Sequence, residues 1–252
     1  MTRERLKSDF DRWKKENDQH GRQAMSRYIM LRFLDELQAT SDDFVFKGGN
    51  LLWHYIKTPR ETVDLGLSTQ TLKSHIEIKR VVEKSFSAHD KIEFKIKDFK
   101  EIEGSQEVGA AITLEYETLT NQKNQFAIDI VYALPTDISL VKSTVSGEAR
   151  KSASIENIIA DKLSASHRFK SGNTRMKDFD DLWRISKSDL QINPKKLNAI
   201  LKERGISSQL ELEWVSYLEQ SWKRHSKSYR DIPKDLNSVF LEVNDWINGL
   251  LS

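Results

Sequence analysis

The chain has 252 residues, of which 38% are hydrophobic and 31% charged, and its formal net charge is +2. This composition is typical of a folded protein with one large or two smaller domains, and it excludes a disordered or fibrous chain. The absence of cysteine excludes disulfides, thiolate zinc sites and cysteine nucleophiles. A charged N-terminal segment and the lack of a long apolar window predict a cytoplasmic protein that is neither secreted nor inserted into a membrane.

The first part of the chain predicts a mixed α/β domain over residues 1–150. Apolar residues recur at helical spacing in "LKSDFDRWKKEND" and "QAMSRYIMLRFLDELQA". A strand at residues 44–46, a Lys-Gly-Gly turn and a helix over residues 50–57 are predicted next. A strand at residues 63–67 and a helix over residues 72–87 follow. The segments "KIEFKIKDF", "AAITLEYETL" and "QFAIDIVYAL" then predict antiparallel strands.

The remainder of the chain is helical in pattern. It follows the small, polar segment "STVSGEARKSAS", which is interpreted as a linker. Helices are predicted in "IENIIADKLSASHRF", "TRMKDFDDLWRISK", "PKKLNAILKERG", "SQLELEWVSYLEQSWKRH" and "LNSVFLEVNDWINGLL". Gly205 is expected to end a helix, and Pro194 and Pro233 to lie at helix starts. The predicted fold class is therefore α+β: a mixed sheet flanked by helices, followed by an all-α bundle over residues 151–252.

Two glycines, Gly48 and Gly49, separate the first predicted strand from the next helix. They allow a tight turn and leave backbone amides free at the positive end of a helix, which suits phosphate oxygens. Lys47 adds a positive charge beside them. An ordinary tight turn has the same pattern, so both interpretations stay open.

Two aspartates lie within otherwise apolar strands, Asp64 in "RETVDLGLS" and Asp129 in "FAIDIVYA". A carboxylate in such a strand is costly unless it is paired, hydrogen-bonded or bound to a metal. If the two strands are neighbours, the pair would hold a divalent cation; two salt-bridged aspartates are the alternative. Gly66 shares the face of Asp64, where a metal-dependent phosphoryl-transfer site would carry a second carboxylate.

The helical region contains a second set of charged candidates. From Lys162 to Lys177 there are five basic residues and no acidic one, which indicates either a solvated surface or a contact with a polyanion. Asp178 and Asp181 lie three residues apart, beside the apolar stripe of their helix. An inward lysine and aspartate could bind a triphosphate and orient or deprotonate a hydroxyl.

The ordered set "FVFKGGNLL", "RETVDLGLS", "FAIDIV", "ENIIADKLSA" and "RMKDFDDLWRI" resembles the AbiEii/AbiGii toxin family of nucleotidyltransferases, within the polymerase-β-like superfamily. The resemblance covers residues 44–185. It implies that nucleotide phosphates are bound by Lys47, Gly48, Gly49 and Asn50, the last of which replaces the family's usual Ser or Thr. It implies a metal site at Asp64 and Asp129.

The resemblance also assigns the charged residues of the helical region. Lys162 and Asp178 match the family's remaining active-site residues, and Arg175 and Asp181 are expected to support them. Lys162, Arg175 and Asp181 are thereby expected to bind the nucleotide. The helical domain is expected to complete the active-site cleft.

The implied function is that of a toxin in a toxin-antitoxin system. Such an enzyme uses Mg²⁺ or Mn²⁺ to transfer a nucleotide from an NTP to an RNA acceptor, in characterised members the 3′ end of tRNA. A cognate antitoxin is the implied protein partner. The basic run would then contact the phosphates of the acceptor.

Gly66 departs from the family pattern, which has an aspartate there, so metal affinity or rate is expected to fall. The chain is an attenuated or inactive member, an altered form of an aspartate-bearing parent made so that a toxic protein can be produced, or a protein in which another acid substitutes. Glu61 is the candidate substitute, although its odd offset from Asp64 points it to the opposite face. Two further alternatives are a catalytically inactive nucleotide- or partner-binding module on the same scaffold, and an unrelated α/β protein with salt-bridged aspartates.

Overall fold

The computed structural model describes residues 3–17, 23–59, 62–72, 74–86, 92–103, 108–118 and 123–252. These residues form two compact units. The first unit contains the described residues up to Lys57 and from Thr62 to Ala153. The second contains Thr58, Pro59 and residues 154–252. No helix of the described ranges is both long and apolar enough to cross a membrane.

The first unit combines helices with a mixed sheet. Its elements in chain order are α1 (Arg3–Glu16), α2 (Gln23–Thr40), β1 (Val45–Lys47), α3 (Gly49–Ile56), β2 (Asp64–Ser68), α4 (His75–Phe86), β3 (Ile92–Glu103), β4 (Val108–Thr118), β5 (Lys123–Val131), β6 (Ile138–Lys142) and β7 (Ala149–Ala153). The strand order in the sheet is β3-β4-β5-β2-β1-β7-β6. The pairs β2/β5 and β1/β7 are parallel, and the other neighbours are antiparallel.

Alternation along the central strands determines which face of the sheet carries the aspartates. Four apolar residues of β2 and β5 are fully or almost fully buried: Leu65, Leu67, Ile128 and Ile130. Because successive side chains point to opposite faces, Asp64, Gly66 and Asp129 share the other face, called here the open face. The predicted strands and helices of this unit are all present, with ends that differ by a few residues.

Two further strands, β6 and β7, are absent from the sequence prediction. β7 lies inside "STVSGEARKSAS", so the interpretation of that segment as a linker is wrong. Its Arg150 is buried, forms an ion pair with Asp35 of α2 and donates a hydrogen bond of 2.9 Å to the Leu31 carbonyl. A buried arginine in place of an apolar residue hides the strand pattern. The first unit consequently extends to Ala153, beyond the predicted boundary at residue 150.

The second unit is all-helical, as predicted. Its helices are α5 (Ile155–Phe169), α6 (Met176–Ser186), α7 (Pro194–Arg204), α8 (Val215–Ser226) and α9 (Leu236–Leu251), with 3₁₀ turns at Lys170–Gly172 and Leu212–Trp214. Gly205 follows α7 with a positive φ of 62°, which confirms the predicted helix stop. Pro194 is in the first turn of α7, whereas Pro233 precedes Asp235, the N-cap of α9.

Candidate active site

The open face of the first unit brings three predicted site positions into one row across the sheet. Lys47 of β1 pairs with Gly66 of β2, and Gly66 pairs with Asp129 of β5. Asp64 pairs with Ala127, so it lies one diagonal step from Asp129. The condition set in the sequence analysis, that the two aspartate strands are neighbours, is therefore met. In this row Gly66 lies between Lys47 and Asp129, and Asp64 lies two residues before Gly66 on β2.

The two carboxylates are accessible from solvent. Asp64 is half-buried and Asp129 is exposed. The sequence argument from the cost of burying a carboxylate therefore does not apply to Asp129, since its apolar strand neighbours face the core and it does not. What the pattern detects correctly is a polar position in a strand with one buried face.

The two aspartates suit one divalent ion. Strand spacing and rise place their β-carbons about 8 Å apart across β2 and β5. Magnesium is typically held by one or two carboxylates together with water and substrate phosphates. Within the described ranges, no group of three His, Asp or Glu side chains could hold a metal. Asp64 and Asp129 would thus need substrate phosphates to complete the coordination, and a two-ion site would need a further carboxylate such as one at position 66.

The glycine turn, Lys47–Gly49, leads from β1 directly into α3. Gly48 has a φ of 82°, a left-handed value that favours glycine, and it is the N-cap of α3. As a glycine, this N-cap residue supplies no side-chain hydrogen bond to the first turn of α3. The interpretation that these first-turn amides bind phosphate stays a prediction.

The glycine turn packs against Gly66. A β-carbon added at position 66 would lie 2.9 Å from the carbonyl oxygen of Lys47, a backbone atom, and 3.5 Å from the Cα of Gly48. A β-carbon added at Gly48 would lie 3.7 Å from the Cα of Gly66. Any side chain at position 66 therefore requires the turn to move.

Asn50 is fully buried and its side-chain amide joins three elements. Its Oδ1 accepts a hydrogen bond from Arg27 Nε of α2 at 3.3 Å. Its Nδ2 donates to the backbone carbonyl of Asp64 at 2.7 Å and lies 3.2 Å from the sulfur of Met30. Asn50 thus holds the start of β2 in position. Arg27 is not identified from the sequence as a partner of Asn50. An arginine on the apolar stripe of α2 could have indicated a buried polar contact.

The C-terminal end of α3 contains two titratable groups with depressed pKa values. Burial, followed by the charge of Arg27, lowers the pKa of Lys57 to about 8. The Lys57 ammonium lies 3.9 Å from the centroid of the Trp53 ring and donates to Asn17. Burial, followed by the charges of Lys57 and Arg150, lowers the pKa of His54 to about 4. His54 is therefore neutral near pH 7.

In the second unit, Lys162 of α5 is paired with two carboxylates of α6. Its Nζ lies 2.5 Å from Asp181 Oδ2 and 3.4 Å from Asp178 Oδ1. All three residues are buried, and Asp181 completely so. Arg175, the N-cap residue of α6, extends the cluster, because its Nε lies 3.1 Å from Asp178 Oδ2. The four predicted residues of this unit are thus in one ionic cluster.

The burial of Lys162 separates it from the basic run in which the sequence placed it. The other four basic residues of that run are exposed: Arg168, Lys170, Arg175 and Lys177. The run therefore divides into one buried lysine with two anionic partners and a surface segment of residues 168–177, called here the basic loop. Within residues 162–177, the four exposed basic side chains of the basic loop are accessible to solvent, whereas Lys162 is not.

A separate network on α6 has a structural role. Asp180 is fully buried and accepts from Arg184 Nε at 2.6 Å, and its other oxygen lies 2.9 Å from His225 Nε2. Arg184 also pairs with Asp231, and this hydrogen bond lowers the pKa of Asp231. These contacts link α6 to α8 and to the segment before α9. Glu61, the proposed substitute ligand, lies outside the described residues.

Solved structures share this architecture. JHP933 from Helicobacter pylori aligns with a TM-score of 0.59 at 18% identity, over 92% of this chain and 94% of that chain. A protein from H. pylori described as a candidate nucleotidyltransferase aligns with a TM-score of 0.54 at 17% identity, over 92% and 96%. Among curated proteins, none matches the sequence significantly.

These likenesses concern the fold, in which the two carboxylate-bearing strands lie beside a glycine turn. The model of the AbiEii family, described as the nucleotidyl transferase AbiEii toxin of type IV toxin-antitoxin systems, matches residues 32–242. The chain belongs to this family. The family resemblance inferred from five sequence segments is thereby confirmed.

Proposed function

We propose that this chain transfers a nucleotide from an NTP to an RNA acceptor, the 3′ end of a tRNA, as a cytoplasmic toxin opposed by a cognate antitoxin. One observation carries the proposal. Asp64 and Asp129 lie on the open face of two adjacent parallel strands, next to the uncapped helix end of the glycine turn. Carboxylates beside an anion-binding helix end suit a nucleoside triphosphate and its metal ion.

In the proposed reaction, the acceptor 3′-hydroxyl attacks the α-phosphorus in line and pyrophosphate leaves. Asp64 and Asp129 would hold Mg²⁺ or Mn²⁺, which when bound neutralises phosphate charge during the displacement. The amides of the glycine turn and Lys47 would bind the phosphate oxygens. In this proposal Asn50 acts through β2, since its side chain is occupied by Arg27 and the Asp64 carbonyl.

In this proposal, residues of the helical unit take part in the same reaction. This follows the prediction from the sequence that the helical domain completes the active-site cleft. Lys162 would bind the triphosphate and Asp178 would orient the attacking hydroxyl. Arg175 and Asp181 would position these two groups, since both already contact the cluster. In this proposal, a triphosphate that binds Lys162 or Arg175 competes with the carboxylates of Asp178 and Asp181, which these two side chains already contact.

The test is transfer of label from α-labelled NTPs to total tRNA in the presence of magnesium. We expect transfer by the natural chain, lowered about 100-fold or more by Asp129→Asn and by Lys162→Met, the usual scale for losing a group that stabilises the transition state. Asp42→Asn is the matched control, because the Asp42 side chain is 90% exposed. No transfer by the natural chain and none by Gly66→Asp, both folded, overturns the proposal.

The alternative is a catalytically inactive module that binds a nucleotide or a partner, and the packing of Gly66 under the glycine turn favours it. In that case NTP titrations followed by calorimetry would give the same affinity with and without magnesium, and no variant would transfer label. Gly66→Ala controls for steric effects in Gly66→Asp, since both add a β-carbon and only one adds a carboxylate. Transfer by Gly66→Asp alone would identify the missing ligand as the cause of inactivity.

A further inference from the structure

We propose that Phe169 is a stacking platform for an unpaired base of the RNA acceptor. The inference rests on the proposed function, because it assigns a contact to that RNA. Phe169 is the last residue of α5 and is 40% exposed. Single exposed apolar residues are common on protein surfaces, so exposure alone assigns no role. The surroundings of this ring provide the argument.

Phe169 is the one Phe, Tyr or Trp in a segment whose charged residues are all basic. No acidic residue occurs between Lys162 and Lys177. The guanidinium carbon of Arg168 lies 5.9 Å from the centroid of the Phe169 ring. Proteins that bind single strands combine such positive surfaces with aromatic rings, and each stacked base contributes about 1–3 kcal/mol. Charge and ring together therefore favour single-stranded RNA over an acidic protein surface, which would need no flat ring.

The backbone that carries Phe169 is held by hydrogen bonds within the chain. The Lys170 amide donates to the Ser166 carbonyl at the end of α5, and Lys170 has a φ of 44°, which turns the chain away from the helix axis. The Asn173 amide then donates to the Lys170 carbonyl at 3.1 Å and closes the turn. Because the turn is already ordered, a base that stacks on Phe169 does not have to order it.

Tyr217 on α8 shows why exposure of a ring is insufficient to predict a contact with RNA. It is 72% exposed, more than Phe169. Its helix neighbours at three and four residues are Glu213, Trp214, Gln220 and Ser221, none of which is basic. A surface without positive charge does not attract phosphates. Tyr217 is thus a matched aromatic position in the same unit for which we expect no contact with RNA.

The experiment measures binding of a fluorescent single-stranded oligoribonucleotide and of total tRNA by fluorescence anisotropy. We expect Phe169→Leu to weaken binding roughly 5- to 100-fold, the range that corresponds to one stacked base. Phe169→Trp should bind at least as tightly as the natural chain. Tyr217→Leu should bind equally well. Circular dichroism verifies that each variant is folded.

The salt dependence separates stacking from charge. Phe169→Leu should leave the slope of log K against log salt unchanged, because stacking releases no counterions. Lys170→Gln should reduce that slope by about 0.7, the value for one phosphate contact on a single strand. Unchanged RNA affinity in Phe169→Leu, or an equal loss in Tyr217→Leu, overturns the inference. Loss of label transfer with intact RNA binding bears on the proposed function alone.

Discussion

Gly66 is the residue on which the chemistry of the open face depends. It stands at the centre of the row that contains Lys47 and Asp129, and the Lys47 carbonyl occupies the space that a β-carbon would need. A carboxylate at this position would add a metal ligand, and it would also displace the glycine turn that binds phosphates in our proposal. In Gly66→Asp, the added carboxylate should therefore favour metal binding, whereas the displaced glycine turn should weaken phosphate binding.

The first prediction isolates the steric part of this effect. Gly66→Ala should destabilise the folded chain by about 1–3 kcal/mol, the usual cost of an overpacked site. Urea unfolding measures the change. Gly249→Ala is the control, because no heavy atom lies within 4 Å of an added β-carbon there and Gly249 is in helix α9. The control should be neutral or slightly stabilising. Equal effects at the two glycines would contradict the packing argument.

Lys162 shows at the same scale how a buried ion pair constrains a site. Its ammonium contacts two carboxylates, and all three groups are removed from water. Removing one partner of such a set leaves an uncompensated buried charge and costs about 3–5 kcal/mol. A loss of activity in Lys162→Met must therefore be compared with its loss of stability before it is attributed to chemistry.

At the level of elements, the buried amide of Asn50 ties together α2, α3 and β2. The orientation of Asp64 depends on this link, because Asn50 donates to the backbone carbonyl of Asp64 itself. The asparagine side chain reaches both Arg27 on α2 and the backbone of β2.

The second prediction concerns this link. Asn50→Ala should destabilise the chain by about 2–3 kcal/mol, because it leaves the Arg27 guanidinium and the Asp64 carbonyl with lost hydrogen bonds in a buried site. Thermal unfolding followed by circular dichroism measures the change. Asn237 is exposed on α9, so Asn237→Ala should stay within about 0.5 kcal/mol of the natural chain. A stable Asn50→Ala would show that the amide is dispensable for the fold.

For the whole molecule, His54 makes one contribution to the pH dependence of folding. Its pKa in the folded chain is about 4, below its ordinary value of 6.5, since burial disfavours the charged form. Its contribution to stability is complete above pH 6.5. As the pH falls from 6.5 to 4, the unfolded chain binds the proton first, so this contribution is lost.

The third prediction is that stability falls by on the order of 1–2 kcal/mol between pH 6.5 and 4 through His54, after allowance for its partial exposure. Urea unfolding at several pH values measures the slope. His54→Gln should reduce that slope in this interval, whatever it does to the stability at pH 7. An identical slope in both proteins would assign the acid sensitivity to other groups.

Most of the local structure can be predicted from the sequence, because it depends on near neighbours. The helices of the second unit follow from apolar spacing of three and four residues, and α7 also from Pro194 and Gly205. Strand β7 could not be predicted in this way. The guanidinium of its buried Arg150 donates hydrogen bonds to Asp35 and to the Leu31 carbonyl, which lie more than a hundred residues earlier in the chain.

The sequence by itself determined the family, the order of the elements other than β6 and β7, the presence of a glycine turn and the polar positions in β2 and β5. These depend on residue types and on periodicities within a few residues. The tertiary structure alone decided that Gly66 pairs with both Lys47 and Asp129, that the glycine turn closes over it, and that Lys162 is separate from the basic loop. The physical reason is that strand register and ion pairing join residues that are distant along the chain.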